Sequence, residues 1–295
     1  MTLVLQVLEI VAPVFLLAGI GFVWVKLGLE YRLAFVTQLA MSLAVPCLIF
    51  TALVNTSVSP AALRTLIFAA LTAYALLSIT VLLVVRAMRL DQRTFAAPLI
   101  FGNTGNLGLP LALFAFGEVG FDYAVVVFAV MAIISFTFGI WLVAGAGSGA
   151  IRKVGSEPLV WATLAGGIFL WQGWRLPTFL DNTLALIGQM AIPLMLITLG
   201  VAVARLSPSG IGRACVLCVL KLALCVGCAW AVGHLFSLEP TAFGILVLQV
   251  STPVAVTAYM LAAKFEAEAV AVAGLVVVST VISIGALPLL LAVLL

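Results

Sequence analysis

The feature that most constrains the fold is a series of long apolar segments separated only by short stretches that carry charge. A helix that crosses the apolar core of a bilayer needs roughly 20 mostly apolar residues. The 295 residues are 65% hydrophobic and only 8% charged, whereas soluble domains carry about 25% charged residues. A soluble core of this size could not bury so much apolar surface. We therefore predict an all-α integral membrane protein without a soluble domain.

Hydrophobic windows between the charges predict ten transmembrane helices. The first is expected to be a helix of the mature protein, because it has neither a basic leader nor a small-residue cleavage site. The predicted spans are 3–25, 34–54, 62–85, 94–115, 121–145, 158–174, 181–204, 211–234, 241–263 and 268–294.

Basic residues divide unevenly between the two sides that these ten spans define. The richer side carries Lys26, Arg32, Arg86, Arg89, Arg93, Arg152, Lys153, Arg205, Arg213 and Lys264. The poorer side carries only Arg64 and Arg175. Because loops rich in lysine and arginine stay in the cytoplasm, we predict a cytoplasmic (inner) membrane protein with both termini on the outer, periplasmic side.

Recurring prolines predict that the chain contains an internal repeat. Pro46 in the second span matches Pro193 in the seventh, 147 residues later, and Pro110 in the fourth span matches Pro253 in the ninth, 143 residues later. Five spans per half is an odd number, so the second half must insert upside down. This predicts two inverted five-helix repeats, 1–147 and 148–295, which is the plan of many secondary transporters.

The fourth and ninth spans carry residues that break helices at membrane depth. The fourth contains GNTGNLGLP (102–110) and the ninth contains QVSTP (249–253). Glycine weakens a helix and proline removes a hydrogen-bond donor, and non-helical backbone at this depth must line a cavity or be buried in protein. We predict that both helices break and cross at the midplane, where helix N-termini would bind an anion. A pair of simple proline kinks is the alternative.

Candidate site residues follow from this crossing. The predicted substrate-binding residues are Asn103, Thr104, Gly105, Asn106, Ser251, Thr252 and Lys221; the predicted crossover or hinge residues are Gly102, Pro110 and Pro253. Lys221 is a charge inside a span, so it either acts at the site or extends toward the headgroups. The hydroxyls of spans five and ten either bond to their own helices or line the cavity; they belong to Ser135, Thr137, Ser279, Thr280 and Ser283.

Four segments carry a resemblance to a known family. The stretch 103–110, MSLAVPCLIFTAL (41–53), GQMAIPLMLITLG (188–200) and STPVAVTAYMLAAKF (251–265) resemble the auxin efflux carrier family, whose bacterial members include malonate transporters. The resemblance implies carboxylate substrates and a fold similar to the sodium–bile acid symporters, with an elevator-like movement of the crossover bundle. It also implies a coupling-ion position near Gln249 and Asn106, where sodium-coupled relatives carry an acidic residue at the position that matches Gln249.

We therefore predict a secondary transporter of a small organic anion, a mono- or dicarboxylate. A uniporter, a channel-like facilitator and a membrane sensor are the alternatives. The chain has no zinc-protease or serine-hydrolase motif in a suitable context and no phosphate-binding loop, so no enzyme, cofactor, metal or nucleic-acid partner is expected. Four cysteines of one apolar stretch form two CxxC pairs and are expected to pack against a neighbouring helix, with a redox or zinc site as the alternative; they are Cys215, Cys218, Cys225 and Cys228. The substrate, the direction of flux, H⁺ or Na⁺ coupling and homodimer formation are left open.

Overall fold

The long apolar segments fold into helices because a helix satisfies its own backbone hydrogen bonds in an apolar surrounding. The computed structural model describes residues 3–145, 157–206 and 210–295. Its α-helices are α1 (Leu3–Lys26), α2 (Leu33–Leu39), α3 (Val45–Asn55), α4 (Pro60–Ala87), α5 (Gln92–Ile100), α6 (Leu109–Ile134), α7 (Ile140–Ala144), α8 (Pro158–Gln172), α9 (Thr178–Gln189), α10 (Ala191–Arg205), α11 (Ile211–Leu235), α12 (Pro240–Val250), α13 (Val256–Lys264) and α14 (Ala269–Leu294).

Three π-helical turns adjoin these helices. Ala40–Ala44 joins α2 to α3, Thr104–Gly108 leads into α6, and Ser135–Gly139 joins α6 to α7. The predicted boundary between residues 147 and 148, and the basic residues Arg152 and Lys153, lie outside the described residues.

Seven helical stretches of the described chain are long and apolar enough to cross a membrane. They are Val7–Lys26, Leu33–Asn55, Pro60–Ala87, Thr104–Ala144, Thr178–Arg205, Ile211–Leu235 and Ala269–Leu294; α8 and α12 are apolar but shorter. The prediction of an all-helical integral membrane protein is therefore confirmed. Seven is fewer than the ten spans that the sequence predicts. Breaks shorten some of the described helices, and the longest apolar stretch is not straight.

The longest stretch folds back on itself at Gly117. This residue has φ 67° and ψ −161°, a conformation that side chains with a Cβ rarely adopt. A Cβ on Gly105, before the kink, would lie 3.0 Å from the ring of Phe128, after it. Gly120 packs tightly on the side chain of Phe116. These contacts place the two arms of the stretch antiparallel to each other.

Two further interruptions lie against each other. Between α5 and the Thr104–Gly108 turn, Gly102 forms an isolated antiparallel bridge with Val254, which lies between α12 and α13. The Asn103 backbone N–H donates to the Pro253 carbonyl at 2.7 Å. A Cβ on Gly102 would lie 2.8 Å from the carbonyl oxygen of Thr252. The two broken helices therefore exchange backbone contacts at the positions where the sequence carries glycine and proline.

The helices α1 and α10 make the closest helix–helix contact outside the breaks. A Cβ on Gly21 would lie 2.9 Å from the carbonyl carbon of Ile197, and a Cβ on Gly200 would lie 2.7 Å from that of Ala18. Small residues at both positions let the two backbones meet, as in many membrane helix pairs. Helix α1 packs most extensively on α10, and α3 packs most extensively on α8 and α9. We call these five helices, and no others, the α1–α10 group.

Hydrogen bonds between helix ends and loops fall into two separate sets. The first set joins Arg205 to the Tyr31 carbonyl, Arg93 to the Val143 and Phe265 carbonyls, and the Glu268 N–H to Thr94. The second joins Asn55 to Asp181, Thr56 to Asp122, and Tyr123 to Glu239. The ten predicted spans assign the first set to one end of the helix bundle and the second set to the other.

Candidate functional site

The crossing of the broken helices separates two pockets. The larger cavity has a volume of about 270 Å³ and lies on the face of the crossing formed by Gly102 and Asn103. The smaller pocket, of about 20 Å³, lies beside Ser251, Thr252 and Pro253. Eight of the eleven predicted site residues are divided between these two spaces.

Two helix N-termini line the larger cavity. Gly105 and Asn106 belong to the first turn after one break, and Val256 and Thr257 begin α13 after the other. The first N–H groups of a helix have no partner within it. Neither start carries a side-chain cap. Both N-termini therefore present unpaired donors and a partial positive charge to one cavity.

The remaining wall of the larger cavity is mostly apolar. It includes the aromatic and methionine side chains of Phe101, Phe128, Phe136, Met41, Met131, Met195 and Met260. Met41, Leu159 and Met195 come from the α1–α10 group or the turn beside it, while most other lining residues come from α5 to α7, α13 and the breaks. The cavity thus lies between two groups of helices.

Buried polar atoms without partners concentrate at the crossing. Within the described residues they include Asn103 Nδ2, Thr104 Oγ1, Ser251 Oγ and both polar atoms of the Gln249 amide. A buried polar group without a partner costs about 1–3 kcal/mol. Asn103 lines the larger cavity, and its amide N–H₂ is buried beside it without a partner.

The smaller pocket holds Lys221. The side chain is 3% exposed, and its Nζ lies 3.4 Å from the Leu99 carbonyl and 3.6 Å from Cys225 Sγ. The ammonium group thus points to the crossing and does not extend to the membrane surface. Lys221, Ser251 and Thr252 share this pocket, whereas Asn103, Gly105 and Asn106 share the larger one.

Three predicted residues lie beside the crossing and line neither of these two pockets. The Gln249 amide is fully buried against Gly108, where a Cβ would lie 2.9 Å from the amide carbon. Thr104 is fully buried as well. Pro110 stands in the first turn of α6, where a proline is tolerated because the N–H has no partner in the helix.

Some hydroxyl side chains of spans five and ten line a pocket, and others bond to carbonyls of their own helices. Ser135 lines the larger cavity, and Thr137 and Thr280 bond to carbonyls of their own helices. Ser279 accepts a hydrogen bond from the Val254 N–H at 3.0 Å, so it satisfies a donor freed by the break. Ser283 bonds to the Thr280 carbonyl and also borders the smaller pocket.

Sequence reasoning missed two basic residues. Lys264, at the end of α13, is exposed and lines the larger cavity, where it adds positive charge. The Arg93 guanidinium donates to the Val143 and Phe265 carbonyls, at 2.9 Å in each case, and so ties together the C-terminal ends of α7 and α13. In the sequence both residues were used only to assign the side of the membrane on which their loops lie. The distance of Lys264 from Pro253, about three helical turns, could have indicated that it ends the helix that follows the break.

Comparison with known proteins identifies the family. A family model described as "Membrane transport protein" matches residues 6–154 and 146–291. The chain is 28% identical over 294 residues to an uncharacterised transporter of Methanothermobacter thermautotrophicus, covering 95% of this chain and 96% of that protein. It is 24% identical over 197 residues to an uncharacterised transporter of Methanocaldococcus jannaschii, covering 63% of each chain. Both the family description and the relatives' names indicate a transporter and not an enzyme. The chain belongs to this membrane transport family, and its predicted membership of the auxin efflux carrier family is confirmed.

Proposed function

We propose that the protein is a secondary carrier that binds a small carboxylate in the larger cavity. The observation that carries the proposal is the convergence of two uncapped helix N-termini on this cavity, beside the unpaired amide of Asn103. Backbone N–H groups and the helix dipole favour an anion at such a place. Lys264 at the same cavity adds a full positive charge.

The apolar wall favours a substrate with one charged end. Phenylalanine and methionine side chains contact the body of a ligand through dispersion and burial of apolar area. A second carboxylate placed against them would lose its hydration without gaining partners. We therefore favour a monocarboxylate with an apolar body over a dicarboxylate such as malonate.

A ten-span, inverted-repeat arrangement is part of the proposal. The loop contacts support it, because each hydrogen bond in the two sets joins ends that the alternation of ten spans assigns to the same side. The fold-back at Gly117 separates the fourth span from the fifth. In this orientation the Lys264 end of the larger cavity faces the cytoplasm. An elevator-type movement of the crossing against the α1–α10 group would carry the cavity to the other side.

Cysteine labelling tests this topology. In a variant without the five native cysteines, we expect Trp174→Cys to react with a membrane-impermeant maleimide in intact cells. Met88→Cys is expected to react only after the membrane is permeabilised. The native side chains at these positions, Trp174 and Met88, are well exposed, at 54% and 43%. A difference in labelling therefore reports the side of the membrane on which each position lies, and not its burial in the protein. Labelling of both positions from the same side would contradict the ten-span arrangement.

A thermal-shift screen tests the binding proposal. We expect phenylacetate and hexanoate to raise the melting temperature of the purified protein more than malonate or succinate, because binding to the folded state stabilises it. The neutral analogue phenylacetamide keeps the apolar body and removes the charge, so it serves as the matched control. Equal stabilisation by phenylacetate and phenylacetamide would contradict an anion site.

A further inference from the structure

The break in the first broken helix leaves a backbone carbonyl without its usual donor. In a continuous helix the Leu99 carbonyl would accept from the N–H of Asn103, four residues later. Here that N–H donates to the Pro253 carbonyl at 2.7 Å. The donor that reaches the Leu99 carbonyl is the ammonium group of Lys221, at 3.4 Å. Lys221 therefore replaces a hydrogen bond that the crossing removes.

Lys221 lies between the ends of the two broken helices. Its Nζ reaches the carbonyl of Leu99, in the last turn of α5. Ser251, Thr252 and Pro253 follow the end of α12 and line the same pocket as Lys221. The last carbonyls of a helix carry a partial negative charge and have no partner within it. Ser251 Oγ is buried there and has no partner among the described residues. Carbonyl and hydroxyl oxygens are ligands suited to a hard cation, including a monovalent one.

Two other roles for Lys221 fit the pocket less well. A volume of about 20 Å³ holds one water molecule, so a substrate carboxylate does not fit beside the ammonium group. In the described parts of the chain, no carboxylate oxygen lies within 4.0 Å of Nζ, so Lys221 is not one half of a buried ion pair. The contacts of its Nζ are instead the Leu99 carbonyl at the end of α5 and the Cys225 sulfur.

We propose that Lys221 is a tethered cation, which permanently occupies the position where the Leu99 carbonyl and the segment after α12 would otherwise bind Na⁺ from solution. The folded core then needs no dissolved monovalent cation. This inference concerns the stability of the crossing without substrate, so it does not depend on the carboxylate proposal.

Removing the side chain tests the proposal by chemical rescue. Lys221→Ala leaves space beside the Leu99 carbonyl, and we expect its melting temperature in choline chloride to fall by about 5 °C or more. Na⁺ or ethylammonium, at the same ionic strength, is expected to restore at least half of the loss, because both are small enough to enter and choline is not. The wild type and the exposed control Lys26→Met are expected to melt at the same temperature in all three salts.

Lys221→Met separates the charge from the packing. Methionine fills much of the space without a charge, so we expect this variant to melt below the wild type in all three salts and to show no rescue. A wild type stabilised by Na⁺ over choline would overturn the proposal. So would Lys221→Met as stable as the wild type, or Lys221→Ala that responds equally to all three salts. If neither variant yields folded protein in any of the salts, the side chain has a packing role that no cation replaces, and the proposal fails as well.

Discussion

Replacing Gly200 by leucine is expected to abolish the folded protein. A Cβ at this position would overlap the carbonyl oxygen of Ala18 and would lie 2.9 Å from the backbone nitrogen of Phe22. The atoms that it meets are backbone atoms, which cannot rotate away. Overpacking of a core costs about 1–3 kcal/mol when side chains can adjust and more when they cannot. We expect Gly200→Ala to cost at least about 3 kcal/mol, and Gly200→Leu to give no monodisperse peak in fluorescence-detected size-exclusion chromatography.

Gly19 provides the matched control on the facing helix. It lies on α1, two residues before Gly21, and a Cβ there would have no heavy atom within 4 Å. Gly19→Ala should therefore leave the melting temperature unchanged or raise it slightly, since alanine favours a helix over glycine by about 1 kcal/mol. Equal behaviour of Gly19→Ala and Gly200→Ala would show that the contact between α1 and α10 is not as close as described.

Asn103→Asp is expected to abolish carboxylate binding. The side chain keeps its shape, but the unpaired amide N–H₂ beside the cavity becomes an oxygen and the side chain gains a negative charge, which repels an anion and offers it no donor. Asn103→Ala and Asn106→Ala remove a donor without adding a charge, so we expect each to weaken affinity by about tenfold, or about 1.4 kcal/mol. The dissociation constant of the best carboxylate, measured by thermal shift or calorimetry, checks these values.

The direction of the Asn103→Asp effect also identifies the sign of the ligand's charge. A cationic ligand would bind this variant more tightly, and a neutral ligand would be little affected. Asn182→Ala, on an exposed position of α9, is the control for an asparagine lost away from the cavity. If Asn103→Asp kept the wild-type affinity for the carboxylate, Asn103 would not be part of the binding site.

The breaks were predictable from the sequence because their causes are local. Glycine and proline act on the backbone in which they stand, so the runs at 102–110 and 249–253 predicted two interruptions. The structure has them at 101–103 and 251–255. The close approach at Gly102 likewise needs a residue without a Cβ.

The division of the site between two pockets was not predictable in the same way. Whether Ser251 faces the same space as Asn103 depends on the direction in which one broken segment crosses the other. That direction is set by tertiary contacts such as the Asn103–Pro253 and Val254–Ser279 hydrogen bonds. The position of Lys221 depends on the same crossing, because its acceptor, Leu99, is 122 residues away in the chain. From the sequence we placed Asn103, Ser251 and Lys221 in one site because all three are polar. In the structure they line different pockets, because the two broken segments face different sides of the crossing.

Counterflow in proteoliposomes tests the central claim most directly. Vesicles that contain the purified protein are loaded with unlabelled phenylacetate, or with the carboxylate that gives the largest thermal shift, and the entry of the labelled compound is followed. A carrier predicts uptake that saturates with concentration, is accelerated by the internal substrate, and is absent with Asn103→Asp. Uptake that rises linearly without saturation, or single-channel currents in a planar bilayer, would contradict a carrier, and unchanged counterflow in Asn103→Asp would contradict the proposed site.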